Sequence, residues 1–81
     1  MRDKAAALAA PRPGDRWRKE GKRTPIRRTV WDVRGAWVTV FDQRGPGGGG
    51  NTISLFTENF YRWAKTATYL GGAETGVDDV A

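Results

Sequence analysis

The 81-residue sequence contains no cysteine and no histidine. Without cysteine there is neither a disulfide framework nor a thiolate metal site to support the fold. Without histidine the usual zinc sites, the Ser/His and Cys/His nucleophile pairs and the commonest general base near neutral pH are excluded. Carboxylates, lysines and tyrosines remain, and Asp32, Asp42 and Glu58 fall on different elements with no visible convergence. Paired-carboxylate chemistry, as in a glycosidase, needs two acids across a defined gap. The expectation is therefore a protein that is not an enzyme and takes no metal or cofactor. Long hydrophobic runs are missing as well. The opening MRDKAAALAAPRP offers six weakly apolar residues, fewer than the roughly 7 to 15 of a signal-peptide core or the roughly 20 of a membrane span. A cytoplasmic protein with no membrane partner is expected.

A chain of this length holds one small domain and buries only about 60% of the surface its unfolded form exposes. Four Trp, three Phe and two Tyr are a heavy allotment for so small a protein. Aromatic side chains must carry much of its core.

Charge is unevenly placed. The net charge is +5, and between Arg12 and Arg28 eight basic residues stand against Asp15 and Glu20, a local excess of +6. The stretch 71–81 carries Glu74, Asp78 and Asp79 and no cation. A basic segment beside an acidic tail suggests a polyanionic partner, with the tail able to compete for the same surface. Solvated charge kept for solubility is the plainer alternative.

Turn and strand patterns divide the chain into a flexible or briefly helical arm (1–13), a domain (14–70) and an acidic, disordered tail (71–81). Pro11-Arg12-Pro13-Gly14 stops any helix. GDRWR then enters a short strand with Trp17 inward and Arg16 and Arg18 outward. KEGKRTP reads as a loop, and IRRTVWDVRG and AWVTVFD as a hairpin turning at about Arg34-Gly35-Ala36. In the second hairpin strand Val38 and Val40 share one face while Trp37, Thr39 and Phe41 share the other. Val30 and Val33 differ in parity, so a bulge between them is needed to bring both inward. NTISLF is a fourth strand. TENFYRWAK follows as a short helix, N-capped by Thr57, with Phe56, Phe60 and Trp63 as its apolar stripe. TATY with Leu70 makes a last strand.

Between the third and fourth strands lies RGPGGGGN. Gly45 and Gly50 have the spacing of a phosphate loop, but Asn51 and Thr52 stand where lysine and Ser/Thr are required, and a strand follows where a helix should. This run is read as a slack connector.

Five short strands with a helical turn before the fifth follow the order of SH3-like barrels. The fold expected is accordingly mainly β: a small five-stranded SH3-like barrel with one short helix before the last strand. The opening PGDRW (Pro13 to Trp17), the Asp42 to Gly45 turn, and Ile53 and Leu55 with Phe56 or Phe60 resemble the small basic proteins encoded by bacteriophages and prophages of high-GC hosts. That resemblance implies regulators and inhibitors of host machinery, anti-CRISPR proteins among them, working in the bacterial cytoplasm. Fold alone does not fix function.

Two functions follow. In the first, a non-catalytic protein contacts nucleic acid or a ribonucleoprotein: Arg16, Arg18, Lys19, Lys22, Arg23, Arg27, Arg28 and Arg34 meet phosphates, and Trp31 or Trp37 stacks on bases. In the second, a phage-encoded inhibitor docks on a host protein complex through an aromatic patch of Trp31, Trp37, Phe41 and Tyr61. Both depend on those aromatics facing outward. The opposite arrangement, tryptophans in the core or against arginine stems with the valines outside, is open to the same sequence.

Overall fold

The computed structural model describes residues 3–45 and 49–72. Period-two patterning yields five strands: β1 (Asp15–Lys19), β2 (Ile26–Arg34), β3 (Trp37–Arg44), β4 (Gly50–Phe56) and β5 (Thr68–Gly72). All pairings are antiparallel, and the order across the single sheet is β4-β3-β2-β1-β5. Two short helices complete the fold, α1 (Lys4–Ala9) and α2 (Thr57–Ala64).

The sheet is not closed into the expected barrel. β4 and β5 are its two edges, and the chain between them is spent on α2, which packs against β3 and β4. Helices cover the inner face where a closing strand pair would otherwise shield it. α1 supplies the other part of this cover. Asp3 caps it through Oδ1, which accepts from the Ala6 N–H at 2.9 Å, and Lys4 Nζ donates to the Lys65 carbonyl at 2.9 Å. The segment expected as a flexible arm therefore contributes a fully buried residue, Ala7. Of the expected acidic tail, Gly71 and Gly72 belong to β5 and the rest lies outside the described residues.

Trp17 is at the centre of the core, with Val30, Val38, Val40, Phe60, Ala64 and Ala67 around it. Its ring meets Phe60 edge-on at 5.9 Å and Tyr69 at 4.9 Å. The buried Trp17 indole N–H has no acceptor among the described residues. Such a donor costs about 1 to 3 kcal/mol, which the burial of so large a ring outweighs. Asp15, two residues earlier on the same face, is also fully buried. Its carboxylate is satisfied by the Arg12 N–H at 2.9 Å and the Tyr69 hydroxyl at 3.0 Å. The PGDRW stretch thus works as a structural seat, locked further by the Gly14 N–H donating to the Val30 carbonyl at 2.7 Å.

The β2–β3 hairpin turns at Gly35-Ala36, with Gly35 at φ 55°, the left-handed backbone that a two-residue hairpin loop demands. Its register slips between Val30 and Asp32. This is the bulge that the parity of Val30 and Val33 requires: Val30 is buried, Val33 packs against the core, and Trp31 is displaced to the other side.

Three local expectations are corrected. Thr57 is the first helical residue and not the cap; Phe56 precedes α2 without any side-chain cap, and the Thr57 N–H bonds instead to the Ala36 carbonyl at 2.8 Å. Phe56 leaves the helical stripe, because it ends β4 on the face opposite Leu55. The glycine run is not uniformly slack: Gly50 pairs with Gln43 in the sheet, and a Cβ there would fall 2.6 Å from the Asp42 carbonyl oxygen. Residues 46–48 lie outside the described residues.

Because Val38 is buried and Trp37 is 47% exposed, their truncations should differ. Val38→Ala is expected to cost about 2 kcal/mol, a melting-temperature fall on the order of 10 °C. Trp37→Ala opens no cavity in the core and should cost about 1 to 2 kcal/mol, from its ring stack and the part of its surface it covers. Thermal denaturation by circular dichroism measures both.

Candidate functional site

Cross-strand pairs point to the same side of a sheet, so the registers assign every strand residue to a face. Trp17, Arg28, Asp42 and Asn51 form one row on the inner face. The outer face carries, in successive rows, Phe56, Trp37 and Arg34; then Ser54, Thr39 and Asp32; then Thr52, Phe41, Thr29 and Arg16; and last Gln43, Arg27, Arg18 and Thr68.

Two aromatic pairs stand on that outer face. Trp31 and Phe41 are stacked, with centroids 5.1 Å apart and planes within 3° of each other. Trp37 and Phe56 stack at 4.3 Å and 25°. Trp31 is 54% exposed, and Trp37 and Phe56 are each nearly half exposed. Between the pairs runs a polar seam, where Thr39 Oγ1 and Ser54 Oγ share a hydrogen bond at 3.0 Å. The face grades from aromatic at β4 and β3 to basic at β2 and β1.

The residues expected to contact phosphate divide between the two faces. Arg16, Arg18 and Arg27 share the outer face with the aromatics. Arg16 Nε reaches the Gly71 carbonyl at 3.4 Å, and Arg18 pairs with exposed Glu20 at 3.0 Å. The Arg27 guanidinium makes no hydrogen bond or ion pair among the described residues. Lys22 and Arg23 are exposed on the β1–β2 loop. Arg34, at the hairpin tip, is paired with Asp32 at 2.8 Å. Tyr61 is exposed on α2, over a groove lined by Leu8, Val33 and Phe60, and has no ring contact with the sheet aromatics.

Arg28 and Lys19 lie on the inner face, and Lys19 is only half-buried there. Arg28 is buried on the inner face, where Nε donates to Asp42 Oδ2 at 2.7 Å and the guanidinium lies 4.5 Å from the Trp63 ring centre. Arg44 donates to Asp42 Oδ1 at 3.0 Å, and Lys19 Nζ sits 5.0 Å over the same Trp63 ring. Burial pushes the Asp42 carboxyl up, but hydrogen bonds from Arg28 and Arg44 outweigh it and hold the group below the usual carboxylate range. Burial lowers Lys19, and the charges of Arg28 and Lys4 lower it further. The buried pair spans β2 and β3 at directly opposed positions and so fixes their register.

Phe56, stacked on Trp37, and Asp42, paired with Arg28, are the residues that sequence reasoning assigned elsewhere. For Asp42 the parity was legible: it stands two residues beyond Val40, so whichever way the valines face it must follow. No protein-family model, curated protein or solved structure matches this chain. Its site has to be read from its own geometry. Among the described residues no cluster of acids could hold a metal ion, and no helix is long and apolar enough to cross a membrane.

Asp42→Asn should remove on the order of 3 kcal/mol at pH 7, because Arg28 is left buried without its counter-charge. A carboxylate whose folded pKa is depressed stabilises above its unfolded value, about 3.9, and loses that contribution as pH falls through the folded one. The gap between the variant and the parent should therefore be full above about pH 4 and narrow progressively as pH falls below it. Denaturant titrations at pH 7 and pH 3 measure the difference.

Proposed function

We propose that this chain is a non-catalytic binding protein whose outer sheet face takes single-stranded nucleic acid. The observation that carries this reading is the sharing of one face by two exposed aromatic stacks and by Arg16, Arg18 and Arg27. Arginine forks bind phosphate oxygens, and flat exposed rings gain about 1 to 3 kcal/mol per base stacked on them. Only unpaired bases offer free faces to such rings, which favours a single strand over a duplex. Trp31 and Trp37 are the stacking residues, and the three arginines follow the backbone. Few side chains on this face would read base edges, so sequence preference is low. The strand order and the helix before β5 suit an opened relative of the SH3-like barrels, and a phage origin remains part of the proposal.

A second reading, an inhibitor of a host protein complex, is favoured by one observation. The Trp37–Phe56 stack borders β4, an edge strand of seven residues with no charge and no proline, the kind of edge that accepts another chain. Here the aromatics would be hot spots and the arginines would speed encounter.

Fluorescence anisotropy with a labelled single-stranded oligonucleotide distinguishes the readings. With about three phosphates neutralised, log K should fall with log salt at a slope of about −2. Trp31→Ala should weaken binding about tenfold, and duplex of the same length should bind more weakly. Absence of binding at low salt would leave the protein-partner reading in its place.

A further inference from the structure

The corner of the outer face where β1 and β2 leave the sheet has a feature that a simple phosphate track does not need. Arg18 and Arg27 are directly opposed across the strand pair, and Arg23 reaches the same place from the intervening loop. The three arginines line one cleft of about 650 Å³, together with Thr24, Pro25, Gly45 and Leu70. Like charges directly opposed across a sheet are destabilising. Among the described residues the only carboxylate paired with any of the three is Glu20, on Arg18. Neither the Arg23 nor the Arg27 guanidinium has a hydrogen bond or ion pair there. The cleft is thus left with an excess of two positive charges.

We propose that this cleft binds the phosphomonoester end of a nucleic acid strand, a terminal phosphate together with its nucleoside. The inference rests on the nucleic-acid reading of the outer face and adds an end preference to it. The charge matches: an internal phosphodiester carries one negative charge, whereas a terminal phosphomonoester carries about −1.5 to −2 near neutral pH and offers three acceptor oxygens to arginine forks. The size matches as well. About 650 Å³ is far more than a phosphate fills, and it lies in the range of about 300 to 1,000 Å³ typical of pockets for whole small molecules. Leu70, 45% exposed, offers the terminal sugar or base an apolar wall in the same cleft. Arg27 is one row from Thr29 and Arg16, and two residues along a strand span about 7 Å. A strand anchored by its end in the cleft would run directly onto the row that holds Phe41.

The test uses three oligonucleotides of one sequence, with a 5′-phosphate, with a 3′-phosphate and with neither, titrated against the full chain at 150 mM salt. One phosphorylated end should bind about tenfold more tightly than the unphosphorylated strand. Arg23→Gln should abolish that preference. Arg16→Gln, outside the cleft, should weaken all three strands by a similar factor and keep it. Equal binding of the three strands, or a preference that survives Arg23→Gln, would overturn the end site while leaving the nucleic-acid reading intact. Absence of binding to all three would overturn both.

Discussion

A β-strand has two faces and a small domain has one interior, so a strand that is apolar on both sides must leave one set of side chains in water. β3 is that strand. Its valines, Val38 and Val40, are wholly buried, and its aromatics, Trp37 and Phe41, stand outside. The choice follows from volume. The inner face already holds Trp17 and Phe60, each fully buried, and two β-branched residues fit beneath them where two more large rings would overpack. Once β3 is placed, β2 must bring both Val30 and Val33 inward, and the bulge that does so turns Trp31 out against Phe41. The exposed aromatic surface is therefore a consequence of how the core is filled.

The same constraint sorts the charges. Asp42 shares the parity of Val40 and cannot avoid the interior, and its position is tolerable because Arg28 and Arg44 bond both of its oxygens. Arg28 is spent on that pair and on the face of Trp63. Its neighbour Arg27, of opposite parity, is left on the outer face. Two adjacent arginines of identical chemistry thus have different surroundings, one holding β2 in register with β3 and the other exposed on the outer face.

Much of this was legible in the sequence. The succession of five strands, the inward Trp17 and the need for a bulge between Val30 and Val33 follow from period-two spacing, and the Gly35 turn from a glycine between two β-forming runs. The face of Trp37 did not, because both faces of β3 are apolar and only the volume left by the remainder of the core decides between them. Phe56 was ambiguous for a related reason: it stands where a strand becomes a helix, and spacing to Phe60 suits the helix as well as spacing to Ser54 suits the strand. The open sheet was also beyond pattern reasoning, since whether β4 meets β5 depends on where α1 and α2 pack. The role of α1 was hidden because its one fully buried residue, Ala7, is too small to mark an apolar stripe.

The central claim is that the outer face, carrying Trp31 and Trp37, receives a nucleic acid strand while Trp17 stays sealed in the core. The four tryptophan indole N–H resonances test it most directly, through ¹H–¹⁵N spectra recorded as a single-stranded oligonucleotide is added. The account predicts that the Trp31 and Trp37 signals move in proportion to occupancy while the Trp17 signal does not. Unmoved Trp31 and Trp37 signals at saturating oligonucleotide would contradict it.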